Sequence, residues 1–153
     1  IIANILAAPF NGILAEMVET KMSGASPPDM PWTQVIKDTP KMVMNELRKT
    51  AYLLRWMLPL LLLSWIPGLN LIAPVLWFFF SSWTLALDYQ DYPMGNHLLG
   101  FKEQREKLRQ HRSLALGFGF ATLLATMIPI VNFLVIPAAV AGATMLYIEN
   151  LKT

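Results

Sequence analysis

Two stretches of this chain carry no charged residue for longer than any element of a soluble core runs. One extends for about 32 residues from Trp56 to Leu87, the other for about 36 from Ser113 to Ile148. Runs of this length and composition belong in a bilayer. Each is interrupted near its midpoint by the same short motif. The first copy is Ile66-Pro67-Gly68-Leu69-Asn70 followed by Pro74; the second is Ile128-Pro129-Ile130-Val131-Asn132 followed by Pro137. Proline removes a backbone donor and clashes with the preceding turn, so each run is expected to break there.

Length decides the geometry of the runs. A straight helix of 32 to 36 residues would be about 50 Å long, against a hydrocarbon core of about 30 Å. Two full crossings need about 40 residues and a turn, which is more than either run supplies. Broken at the proline, each leg has roughly 11 to 17 residues, about 16 to 25 Å. Such legs form a hairpin that enters deeply without crossing. The flanking charge agrees, because the segments before, between and after the runs are all basic, and hairpins keep every flank on one side. The alternative is a pair of tilted, kinked single spans.

Composition places the rest. The chain is 55% hydrophobic and 14% charged, and its mean hydropathy is +0.45. An average soluble domain carries about 25% charge, so the class is membrane protein. A net charge of +2 with dispersed basic residues does not describe a nucleic-acid binder. With no cysteine and only His97 and His111, no metal site is expected. No cofactor motif is present. Ser81 and Ser82 have no nearby His, and neither G-x-S-x-G nor H-E-x-x-H occurs, so no enzyme is expected.

The expected fold is an all-α membrane protein, read as one membrane domain fragment over residues 1–153. The chain has no initiator Met and opens inside an apolar stretch, Ile1 to Phe10, so a piece of a longer protein is expected. Residues 1–22 read as the end of a transmembrane helix running into an amphipathic stretch, with Pro9, Asn11 and Gly12 as an irregularity. Residues 23–31 are a loop on turn chemistry. Residues 33–87 hold an interfacial amphipathic helix and the first hairpin. On that helix Lys37, Lys41, Arg48 and Arg55 fall within about 40° of one another, opposite an apolar face. Residues 88–112 are a polar connector and a short basic helix carrying Lys102, Arg105, Arg109 and Arg112. Residues 113–153 hold the second hairpin.

The hairpin tips are the candidate site. A helix N-terminus carries unpaired N–H groups and about half a positive charge. The second legs are expected to start near Asn70 or Pro74, and near Asn132 or Pro137. Asn is a good N-cap, and Gly68 admits close approach to the backbone. Two such ends inside a membrane would bind an anion without a cationic side chain. Gly68, Leu69, Asn70 and Asn132 are therefore the candidate anion-binding residues, with Arg55, which starts the deep run. Asn side chains that merely close the tips would explain the motif as well. Most other boundary Lys and Arg residues read as snorkelling to head groups. Asp88, Asp91 and His97 are candidates for carrying protons, and equally for solvating a connector.

A longer series of motifs carries a family resemblance. It includes Ala7-Ala8-Pro9-Phe10-Asn11-Gly12 with Leu14-Ala15-Glu16, Pro27-Pro28-Asp29, and Lys37-Asp38 before Pro40. It continues through Ile66-Pro67-Gly68, Ala73-Pro74-Val75-Leu76-Trp77-Phe78, Asp91-Tyr92-Pro93 and Phe101-Lys102-Glu103. It ends with Thr126-Met127-Ile128-Pro129, Asn132, Pro137 and Gly142-Ala143-Thr144. In this order the chain resembles the CysZ family of bacterial sulfate permeases over nearly its whole length. The resemblance implies sulfate uptake across the bacterial inner membrane by a multi-pass protein, supplying cysteine biosynthesis. It also implies partially penetrating hairpins, contact with membrane lipids, and a homo-oligomer in which antiparallel protomers are an option. Family members begin with further N-terminal helices, so their sulfate-contacting arginines there have no counterpart in these residues. Asn70 is also not a fixed feature of the family loop. A channel-like pore and a proton-coupled carrier both fit; a non-transporting membrane assembly or scaffold protein is the alternative from another class.

Overall fold

The computed structural model describes residues 2–24 and 32–152, and every described element is helical. The helices are α1 (Ile2–Ser23), α2 (Trp32–Trp65), α3 (Ala73–Asn96), α4 (Phe101–Gln110), α5 (Arg112–Thr126) and α6 (Pro129–Leu146). A short 3-10 turn (Leu69–Leu71) lies between α2 and α3, and a π-helical turn (Tyr147–Leu151) prolongs α6. Most of the expected loop over 23–31 lies outside the described residues.

Both expected breaks are present. Helix α2 stops at Trp65 and the chain turns through Ile66–Gly68, where Gly68 has a φ of 88°. This left-handed backbone costs other L-residues roughly 1–2 kcal/mol and glycine almost nothing. Helix α5 stops at Thr126, and α6 begins with Pro129 at its first position, where a missing N–H has no consequence. The apolar part of α2, Trp56 to Trp65, spans about 15 Å, and that of α3, Ala73 to Leu87, about 22 Å.

Cross-contacts fix the directions. Trp77 Nε1 donates to Ser64 Oγ at 3.0 Å, Trp83 Nε1 to Tyr52 OH at 3.2 Å, and Lys49 Nζ to Asp91 at 3.0 Å. Positions fall along α2 as they rise along α3, so the two run antiparallel. Phe78 meets Phe120 edge-on with ring centres 4.9 Å apart, and Tyr89 meets Phe118 at 6.3 Å, so α5 is antiparallel to α3. At the closest approach a Cβ on Gly119 would overlap the Ser82 carbonyl, so only glycine lets these backbones meet. The Gln90 amide then ties α3 to α6 by donating to the Ala143 carbonyl at 3.0 Å.

This topology puts the α2–α3 and α5–α6 joints at the same end of the bundle. The core lies toward the other end, built from Ala86, Leu87, Met94, Phe101, Leu108, Ala115, Tyr147 and Leu151. The joint end turns apolar side chains outward: Trp65 is 83% exposed and Leu71 81%, with Leu62, Met127 and Leu134 also exposed. A surface of that kind is stable against lipid or protein, not water, and is consistent with an α-helical membrane protein. Among the described residues, one helical stretch, Leu134–Leu151, is long and apolar enough to cross a membrane; α5 is a shorter apolar helix.

Three local expectations are corrected. Helix α1 passes through Pro9, Asn11 and Gly12 without interruption, and tertiary bonds support it there. Asn11 donates to Tyr92 OH at 3.2 Å, and the Gly12 carbonyl accepts from Asn96 Nδ2 at 2.9 Å. Residues 88–96 are the end of α3, not a connector, because Asp88 and Asp91 find a half-buried cation on α2. Pro137 lies inside α6, which starts eight residues earlier.

Candidate functional site

At the joint end, the structure separates what the two Asn motifs have in common from what they do. The cap of α3 is Ile72, and that of α6 is Ile128; neither cap is made by a side chain. Asn70 and Asn132 are thus not N-caps. Asn70 sits in the 3-10 turn and its N–H donates to the Ile66 carbonyl at 3.0 Å. Asn132 lies in the first turn of α6 and its N–H donates to the Ile128 carbonyl at 2.9 Å. Both residues are exposed. The first turn of α3 keeps few donors of its own. Pro74 has none, and the Val75 and Leu76 amides share the Ile72 carbonyl at 3.1 and 3.2 Å.

What remains open is the backbone around Gly68. A Cβ placed there would have nothing within 4 Å, and Gly68 and Leu69 are exposed. Arg55 is exposed on α2, ten residues before the turn at Trp65, about 15 Å along the axis. Helix direction therefore groups Gly68, Leu69 and Asn70 with the Asn132 joint at one end, and sets Arg55 part-way toward the other.

The charged end holds a second, denser constellation, of which the linear sequence singled out only Asp88, Asp91 and His97. Glu19 on α1 is 1% exposed, and both its oxygens lie 2.9 Å from His97 Nε2 just past α3. Lys152 Nζ donates to the same carboxylate at 2.7 Å. Burial pushes the Glu19 carboxyl up, but bonds from Lys152 and His97 outweigh it and hold it below the usual range. An ionised carboxylate only accepts, so His97 Nε2 carries the proton between them. The His97 ring also packs on Tyr147, centres 5.3 Å apart.

Lys49 organises a parallel cluster. Its ammonium lies 3.0 Å from Asp91, 3.3 Å from Asp88 and 3.4 Å from Glu46. Burial lowers the Lys49 pKa, yet the facing carboxylates, Asp91 foremost, raise it well above the ordinary value. Asp88 goes the other way: burial raises it, and the attraction of Lys49 recovers only part. Gln104 on α4 closes the group by donating to Asp91 at 2.8 Å and to the Leu99 carbonyl at 3.0 Å. A signal for Lys49 did exist. It lies about 120° off the Lys37–Arg55 stripe, on the side that turns inward, and a lysine there requires a partner. His97, Asp88 and Asp91 were legible as candidates; Glu19 and Lys152 were not, being 133 residues apart.

The joint end thus offers approachable backbone without charge, and the opposite end offers partly buried ion clusters. Among the described residues no group of acidic and imidazole side chains is arranged to hold a metal ion.

Known proteins are similar to this chain. The family model described as sulfate transporter CysZ/etoposide-induced protein 2.4 matches residues 1–137. The sulfate transporter CysZ of Pectobacterium atrosepticum is 45% identical over 152 residues, covering 99% of this chain and 55% of the relative. The chain spans about half the length of that curated relative. A match over so much of the chain, at this identity, means that it belongs to the sulfate transporter CysZ/etoposide-induced protein 2.4 family.

Proposed function

We propose that this chain carries sulfate across the bacterial inner membrane as part of a multi-pass transporter, supplying sulfur for cysteine biosynthesis. One observation carries the reading most. Two helix breaks, with exposed backbone at Gly68 and no nearby charge, lie at one end of a bundle whose ion clusters lie at the other. Irregular backbone at membrane depth persists where it is buried in protein or lines a polar cavity, and solute pathways are built from such breaks. The α2–α3 and α5–α6 pairs then act as hairpins that enter the bilayer from the charged side without crossing it. The anion meets the Gly68–Asn70 turn, with Asn132 on the neighbouring joint, and Arg55 attracts it from above.

The donor pattern refines that site. Since the Asn70 and Asn132 amides are already bonded, the backbone at Gly68 and Leu69 and the positive end of α3 supply the main attraction. The exposed apolar flanks of α2, α5 and α6 are covered by lipid and by further copies in a homo-oligomer, antiparallel protomers included. The 45% identity to a protein named for sulfate transport supports the substrate assignment.

The test is flux. The full-length protein in proteoliposomes should take up labelled sulfate above empty liposomes, and excess unlabelled sulfate should compete. No uptake by a preparation of verified insertion and oligomeric state would move the protein to a scaffold role. An imposed pH gradient separates a carrier, whose uptake would follow it, from a pore.

A further inference from the structure

Three cations that neither the ion clusters nor the joints use converge at the charged end. Arg48 on α2 and Lys102 and Arg105 on α4 line an open concavity of about 440 Å³, floored by Ala51, Tyr52 and Phe101. None of the three enters an ion pair among the described residues. The Arg105 guanidinium rests on the Tyr52 and Phe101 rings, 5.1 and 5.9 Å from their centres. Its Nε is buried without a hydrogen-bond partner. Lys102 occupies the first turn of α4, where the helix dipole repels a cation. Glu103 in the same turn is engaged with the Gly100 amide at 3.3 Å. Arg105 is thereby held by rings beside two further cations, a concentration of positive charge that an anion would relieve.

We propose that Arg48, Lys102 and Arg105 bind a tetrahedral oxyanion, the phosphodiester of an anionic membrane phospholipid. The apolar surface beside the concavity favours the lipid source. From Ala51 a stripe of exposed residues runs along α2 through Leu54, Leu58, Leu61 and Trp65 at helical spacing. It is about 21 Å long, enough to accompany an acyl chain through one leaflet of about 15 Å. Three basic groups at the head of an apolar track match a phosphate on a hydrocarbon tail, and a stacked arginine presents two N–H groups to one phosphate.

The experiment places the full-length protein in nanodiscs of phosphatidylcholine doped with phosphatidylglycerol and measures the lipid retained by native mass spectrometry. Wild-type protein should enrich phosphatidylglycerol. The variant Arg48→Gln/Lys102→Gln/Arg105→Gln should lose that enrichment by at least about tenfold, each charge being worth roughly fivefold. The variant Arg109→Gln/Arg112→Gln, which removes two charges beyond the concavity, should retain it. Equal loss in both variants, or unchanged enrichment in the triple variant, overturns the proposal. Titration of the delipidated protein with inorganic sulfate distinguishes the source. Sulfate affinity that matches the lipid effect, and is lost in the triple variant, would keep the oxyanion site and overturn the lipid assignment. Sulfate flux is read separately, so failure here is distinguishable from failure of the transport reading.

Discussion

The carboxylate of Glu19 receives His97 Nε2 at 2.9 Å on both oxygens, a bond that joins α1 to the end of α3 across 78 residues. Lys152 completes it, so three distant parts of the chain meet on one buried charge. The depressed carboxyl fixes the sign of its pH dependence. Its contribution is present above the unfolded value, 4.5, and is lost as pH falls through the lower folded value. Thermal unfolding in detergent should therefore show the wild type losing stability relative to Glu19→Gln below about pH 4.5. Parallel curves for the two proteins over that range would remove Glu19 from the acid response.

Lys49→Met should destabilise by about 2 kcal/mol, since it leaves Asp91 and Asp88 facing each other without their cation. Adding Asp88→Asn should recover part of that loss, because burial already disfavours this carboxylate. Denaturation of the single and double variants gives the coupling; simple additivity would show that the carboxylates do not share the lysine.

Gly119→Ala should separate α3 from α5. A Cβ there overlaps the Ser82 carbonyl, which is backbone and cannot rotate away. The expected cost is about 1–3 kcal/mol. Gly142→Ala is the control, since its Cβ would meet Phe118 at an ordinary 3.4 Å. Equal stability of both variants would show that the helices are free to move apart.

At the joint, Gly68→Val should weaken sulfate binding more than Asn70→Ala. The first places a β-branched residue at a φ of 88° and walls off the approach. The second removes a side chain that caps nothing. Leu69→Asp should be the most harmful, by adding a negative charge where the anion arrives. Calorimetric titration with oligomeric state checked decides; wild-type affinity in Gly68→Val and Leu69→Asp would exclude this turn as the site.

Sidedness tests the hairpins. Residues 1–153 contain no cysteine, so single cysteines at Thr50 and Glu103 are the reporters, on a background cleared of any other cysteine. Both positions are exposed on segments that meet at the charged end. An impermeant thiol reagent should label them from the same face, or in equal ratios if protomers alternate. Reciprocal labelling would instead establish a full crossing between them.

What could be read without coordinates was set by covalent and solvent terms that act locally. Two long uncharged runs specify a bilayer, Pro67 and Pro129 stop their helices, and Gly68 permits the left-handed turn. Those features need no partner, and the breaks appear at Pro67 and Pro129, whereas Pro59 and Pro137 stay inside α2 and α6. The ends of helices were harder. Residues 88–96 look like a polar loop because Asp88 and Asp91 carry charge. They stay helical because Lys49, on another helix, neutralises that charge from the side. Pro9, Asn11 and Gly12 look like an interruption because they are weak helix formers. The helix continues because Tyr92 and Asn96 hold it. Asn70 and Asn132 have cap chemistry, but where each turn closes depends on which carbonyl the next amide reaches, and Ile72 and Ile128 end the turns. Pairing across helices decided the rest: the antiparallel order that brings both joints to one end, the Glu19–His97–Lys152 meeting, and the convergence of Arg48 with Lys102 and Arg105. No window along the sequence contains such pairs, because their energy exists only once packing has brought distant residues within a few ångströms of each other.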